Sequence, residues 1–183
     1  SSRHLKTNYK LYFNRISAGG EVVFPSEFCL TPNDTWIGSE DYNLPEYSSP
    51  RIVSLGSNRY YIAWFEERRF IDNTSQVTLF GGLYDQNGAA IAPPTALASN
   101  QRGETTLTDL NLVPLSGGRA LILMSQKDLD TENHAVVAVV ANANGTKIHG
   151  PAFVSGAAGW KPDALELSSR RILLAWTSVT EGK

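Results

Sequence analysis

Short apolar runs set between turn signals dominate this chain, and they recur. The runs at 60–64, 120–124 and 172–176 each follow a turn-type cluster: Gly56-Ser57-Asn58, Ser116-Gly117-Gly118 and Ser168-Ser169-Arg170. An apolar run of about this length bounded by turn residues reads as a buried strand. With Leu55, Leu115 and Leu167 in register, Arg59, Arg119 and Arg171 coincide. So do Trp64, Met124 and Trp176, and so do Pro50, Leu110 and Pro162. A second pattern appears when Gly20, Gly88 and Gly145 are aligned: Val23, Ile91 and Ile148 coincide, as do Phe28, Ala96 and Phe153. Apolar runs at 11–16, 77–84 and 136–141 precede these glycines. The glycines close turns of the type Asp85-Gln86-Asn87-Gly88. Asn-Gly is a hairpin signal because both residues tolerate positive φ.

The first pattern repeats at 60 and 52 residues and the second at 68 and 57. Periods near 50 residues, each holding four short strands, predict β-propeller blades. Strands A and B of a blade come from the first pattern, C and D from the second. A β-sandwich with fortuitous internal similarity is the competing architecture. Residues 1–183 then form one all-β, propeller-like segment of four-stranded antiparallel blades: a C–D hairpin over 9–30, a blade over 50–97, a blade over 109–155 and an A–B hairpin over 162–177. Trp64, Met124 and Trp176 are expected to be equivalent core positions. Half a blade, two blades and half a blade sum to three, whereas propellers typically have four to eight. The expected partner of the unpaired ends is another copy of the chain or the remainder of a longer propeller chain.

Composition narrows the function classes. Of 183 residues, 42% are hydrophobic and 19% charged, which suits a globular chain. A net charge of −2 argues against a nucleic-acid footprint. No apolar run is long enough for a membrane span. Cys29 is the single cysteine, so it offers neither an internal disulfide nor a metal cluster, and it reads as a small core residue. His4, His134 and His149 fall at unrelated blade positions, so no metal is expected. No phosphate-binding glycine loop or nucleophile motif occurs, and no cofactor is expected. Three glycosylation sequons, at Asn33, Asn73 and Asn144, suggest an extracellular or cell-surface protein.

Connection lengths point to one end of the blades. The A–B and C–D turns are tight, whereas the B–C stretches 65–75 and 125–133 and the D–A stretches 31–49, 98–108 and 156–161 are long and polar. B–C and D–A connections emerge on the same face, and sites favour loops held by a rigid scaffold. Ligand contacts are therefore expected among Trp36, Tyr42, Glu66, Arg68, Arg102 and Trp160. Flat aromatic rings stack on sugars or anchor protein partners, and charged groups flank them. The many loop carboxylates form no spaced pair, so no catalytic residue is assigned.

An apolar strand ending in Ala-Trp, as at Ala63-Trp64 and Ala175-Trp176, followed by the hairpin Tyr84-Asp85-Gln86-Asn87-Gly88, resembles the blade repeats of secreted and cell-surface β-propeller proteins. The resemblance spans roughly 9–177 and concerns architecture. WD40 signatures and the sialidase Asp-box are missing from the sequence. Three functions fit. The first is a non-catalytic extracellular binding or scaffold module that holds a glycan or protein partner. The second is a glycoside-active enzyme or a fragment of one. The third is a structural component of a larger assembly.

Overall fold

The computed structural model describes residues 10–22, 28–30, 45–156, 158–168 and 170–178. These residues form four antiparallel sheets and no helix. β1 (Tyr12–Phe13) pairs with β2 (Phe28–Cys29). The first four-stranded sheet runs β3 (Glu46–Gly56), β4 (Arg59–Arg69), β5 (Ser75–Asp85) and β6 (Ala90–Ser99) in simple sequence order. The second runs β7 (Thr105–Leu115), β8 (Arg119–Asp128), β9 (His134–Ala141) and β10 (Lys147–Phe153) in the same way. β11 (Gly159–Glu166) and β12 (Ile172–Ser178) form the last pair. The all-β class and the four-stranded antiparallel sheets thus follow the repeat.

The sheets stack, and the stacking explains the sequence pattern. β4 and β8 lie inside their sheets and are covered on both faces, so 61–66 and 120–125 are buried without a break. That is why they read as continuous apolar runs rather than alternating ones. In β4 the odd positions Tyr61, Ala63 and Phe65 face the second sheet, where they meet Ala120, Ile122, Met124 and Val139. The even positions Ile62 and Trp64 face the other way, onto Leu11, Phe13 and Leu30 around the first hairpin. In β8 the odd positions Leu121 and Leu123 turn toward Ala164 and Leu174 of the last pair. Each layer therefore shows even positions of its second strand to the layer before it and odd positions to the layer after.

Polar groups tie the layers at the short-turn end. Arg59 Nη1 donates to the Ala143 carbonyl at 2.9 Å, and Lys147 Nζ donates to the Leu97 carbonyl at 2.8 Å. Glu166 accepts from Ser116 Oγ at 2.8 Å. Two of the repeated arginines thus have local structural roles, since Arg119 Nε donates to the Ser116 carbonyl at 3.0 Å. Gly145 holds φ +88°, and a Cβ there would sit 3.0 Å from Leu83 Cβ and 3.2 Å from Ala92 Cβ. Only glycine combines that φ with so close an approach.

The repeated Pro50, Leu110 and Pro162 have a cause that the sequence does not show. In β3, β7 and β11 the pairing register skips between Ser48 and Arg51, between Thr108 and Asn111, and between Trp160 and Asp163. At each bulge one residue takes positive φ: Ser49 at 53°, Asp109 at 52° and Lys161 at 48°. The residue that follows is Pro50, Leu110 or Pro162. Proline lacks an N–H and is tolerated at a bulge.

Two expectations about burial need correction. Trp64 is 2% exposed and Met124 0%, but Trp176 is 42% exposed. Trp176 lies on an edge strand, with no third strand beside it among the described residues. Cys29 is exposed rather than buried. It pairs with the exposed Tyr12 in a thin two-stranded layer.

Candidate functional site

The end that carries the β4–β5, β6–β7, β8–β9 and β10–β11 connections differs from the long-loop picture. β4 runs on to Arg69 and β5 starts at Ser75, which leaves 70–74 as the connection. β8 likewise reaches Asp128, leaving 129–133. The charged segment 66–69 stays in the strand because its ladder with β5 runs unbroken to Arg69 opposite Ser75, and its charges pair as well. Arg68 Nε donates to Glu66 Oε1 at 2.6 Å, and Arg69 reaches Glu67 at 3.1 Å and Glu46 of β3 at 3.5 Å. The stretch 31–44, with Trp36 and Tyr42, lies outside the described residues.

Of the expected contacts, Glu66, Arg68, Arg102 and Trp160 all sit at this end, but they do not form one group. Glu66 is buried and ion-paired with Arg68. Arg102 closes a separate cluster. It bonds Asp72 Oδ2 at 2.5 Å and Thr74 Oγ1 at 2.7 Å, and its guanidinium lies 3.6 Å from the Phe70 ring centroid. Hydrogen bonds from Thr74, then the Arg102 charge, hold the Asp72 carboxyl below its usual range. This cluster pins 100–104 to 70–74.

Trp160, half-buried at the start of β11, packs its ring on His134 at 5.5 Å between centroids and 54° between planes. Lys161 Nζ lies 5.1 Å from the same ring centroid. His134 opens β9, and its carbonyl accepts from Ala158 N at 2.6 Å. His134 Nδ1 and Trp160 Nε1 are buried with no hydrogen-bond partner among the described residues. A buried donor or acceptor left alone costs about 1–3 kcal/mol, a cost these two groups share with Trp64 Nε1 and Tyr84 Oη in the core.

His134 also lines a cavity of about 310 Å³ at the end of the second sheet. All four strands of that sheet contribute: Thr105 from β7, Gln126 and Asp128 from β8, His134 from β9, and Phe153 from β10, with Ser155 just beyond. The register assembles them, since Thr105 stands opposite Asp128 and Lys127 opposite His134. Asp128 Oδ1 accepts from Thr131 N at 2.7 Å, Thr131 Oγ1 at 2.9 Å and Asp130 N at 3.1 Å. Those bonds, from Thr131 above all, keep the Asp128 carboxyl below the usual carboxylate range. It is therefore ionised at neutral pH, and none of these bonds uses Oδ2. Ser155 Oγ is held by Val136 N at 2.8 Å and by the Gly156 carbonyl at 2.9 Å. Phe153 is exposed beside these fixed polar groups.

Reading residues one at a time misses this cavity, because Asp128 looks like solvated loop charge and His134 like an isolated histidine. The usable signal is the short 129–133 connection. Folding the two flanking runs back on each other brings Gln126, Asp128 and His134 together. Among the described residues no three His, Cys, Asp or Glu side chains are grouped to hold a metal ion.

No protein-family model and no curated protein matches the chain. Among solved structures, an endo-arabinase from Bacteroides thetaiotaomicron VPI-5482 is similar over 75% of this chain and 77% of its own, at 10% sequence identity and a TM-score of 0.38. A similarity of that size names neither a family nor a reaction for this chain.

Proposed function

We propose that this chain is a β-propeller segment and a non-catalytic binding module that takes a neutral glycan in the cavity of the second sheet. The propeller reading is supported by how the sheets approach. Adjacent four-stranded sheets come closest at their first strands, β3 with β7. β11, the first strand of the last pair, lies across β7, β8 and β9 alike. Closest approach at the first strands is what blades around an axis require.

The observation that carries the binding reading is the cavity itself. It joins hydrogen-bonding groups (Thr105, Asp128 and Ser155, each held by a hydrogen bond, and Gln126) to flat faces from Phe153 and His134. Sugars present hydroxyls at the ring edge and C–H groups on the ring face, so they need both. Its volume falls at the low end of the roughly 300–1,000 Å³ typical of small-molecule sites. The ionised Asp128 accepts sugar hydroxyls and repels anionic sugars, so the glycan is neutral. Glycosidic hydrolysis calls for two carboxyl groups across the scissile bond, one of them protonated. Asp128 is the single carboxylate in the described lining, and its hydrogen bonds favour the charged form. An extracellular setting belongs to the same reading, with the Asn73 and Asn144 sequons on exposed turn residues.

A glycan array followed by titration calorimetry tests the proposal. Neutral oligosaccharides should bind, and Gln126→Ala and Phe153→Ala should each weaken binding at least tenfold without changing the circular dichroism spectrum. Release of reducing ends from any bound glycan would replace the binding module by an enzyme. Retention of a protein partner with no glycan binding would move the reading to protein recognition.

A further inference from the structure

The two ends of the sheet stack are matching halves of the same interface. In the repeat, Leu173 of β12 corresponds to Leu121 of β8 and Tyr61 of β4, and Leu165 of β11 corresponds to Val113 and Val53. Tyr61 and Leu121 are 0% and 3% exposed because the following sheet covers them, but Leu173 is 59% exposed. The mirror case is at the other end. Ile52 of β3 corresponds to Leu112 of β7, which packs under the preceding sheet at 9% exposure, while Ile52 itself is 58% exposed. In the interface between the two four-stranded sheets, Val53 and Tyr61 of one sheet lie in the same cluster as Leu112 of the next. The uncovered Leu165 and Leu173 are thus the half that an uncovered Ile52 completes. The strand order matches as well. By the repeat, β12 is a second strand and β1 is a third. Within both complete sheets the second and third strands pair, as β4 with β5 and β8 with β9.

We infer that a second copy of this chain docks head to tail on this one, with Leu165 and Leu173 of one copy against Ile52 of the other and β12 aligned with β1 of its partner. The inference rests on the repeat register and does not depend on the glycan reading. A second copy is the occupant the observations favour, because the face one end lacks is the face the other end displays. Contacts of this kind close into a dimer when the rotation fits and extend into longer assemblies when it does not.

Light scattering and sedimentation across a hundredfold range of concentration test it. The chain should run at twice its own mass or above. Leu173→Glu and Ile52→Glu should each give monomers with an unchanged circular dichroism spectrum, as expected for exposed positions; Leu165→Lys replaces Leu173→Glu, and Ile52→Gln replaces Ile52→Glu, if either loses its spectrum. The decisive step is mixing. Leu173→Glu retains a good head and Ile52→Glu a good tail, so the mixture should form one-to-one heterodimers. A monomeric parent chain, association that survives both substitutions, or folded variants that stay apart on mixing would each overturn the inference.

Discussion

Replacing Trp64 tests the layered packing at its most loaded position. The indole is 2% exposed and stacks on Phe80 at 6.2 Å between centroids and 16° between planes. Leu30, Ile62 and Tyr84 complete its cluster, with Leu11 and Phe13 packed against it. A buried Trp removes about 150–250 Å² from water, and at about 25 cal/mol per Å² that amounts to roughly 4–6 kcal/mol. The indole N–H is itself buried without a partner, which offsets about 1–3 kcal/mol. Trp64→Ala should therefore destabilise by about 3 kcal/mol, the lower end of the usual range for such truncations. Trp64→Phe deletes the unpaired N–H and retains a ring, so its loss should stay near 1 kcal/mol or less. Trp176→Ala, at 42% exposure, should fall well below Trp64→Ala. Urea unfolding followed by far-ultraviolet circular dichroism measures all three, at one protein concentration because association shifts midpoints. Equal losses for Trp64→Ala and Trp176→Ala, or for Trp64→Ala and Trp64→Phe, would refute the reasoning.

Two further outcomes are expected. Gly56 and Gly145 both hold positive φ, at 78° and 88°, but a Cβ at Gly56 meets nothing within 4 Å whereas one at Gly145 crowds Leu83 and Ala92. Gly56→Ala should thus show only the left-handed penalty of about 1–2 kcal/mol, and Gly145→Ala about 1–3 kcal/mol more, read from the same urea midpoints. Burial raises the Tyr61 phenol well above its ordinary value and pushes Tyr84 up to about 12. A raised folded-state pKa means stability that is intact below the unfolded value near 10 and lost as pH rises through the folded value. Stability should be level from pH 7 to 9.5 and then fall by up to about 1.4 kcal/mol per pH unit per tyrosine, with Tyr84→Phe flattening the decline.

Much of the layering is written in the chain because it depends on local spacing. Leu55, Leu115 and Leu167 mark the hairpins, and the unbroken apolar runs at 60–64 and 120–124 reveal strands covered on both faces. What depends on neighbours is not written there. Trp64 and Trp176 carry the same local pattern, yet one is buried by adjacent strands and the other is not. Glu66 to Arg69 look like a loop by composition, and ladder pairing with β5, and of Glu66 and Glu67 with β3, keeps them in β4. Glu66, Arg68, Arg102 and Trp160 could be assigned to one end from connection order alone. Their division into separate clusters could not, because it turns on the Arg68–Glu66 and Arg102–Asp72 pairs. The cavity needed the β8–β9 register, which no single residue encodes.

The bulges at Ser49, Asp109 and Lys161 split each first strand into two frames of reading. In β7, Leu107 before the bulge and Leu110 and Leu112 after it enter the same cluster, although odd spacing would send them to opposite faces. The extra residue resets the alternation, so the hairpin half of the strand holds the layers together whatever precedes it. Tyr47, Thr105 and Trp160 all lie in the preceding half, at the end where the cavity opens. Apart from core positions such as Leu107, that half can exchange residues without disturbing the half that stacks. A chain built this way can vary its side chains at one pole while the phase of its core stays locked at the other.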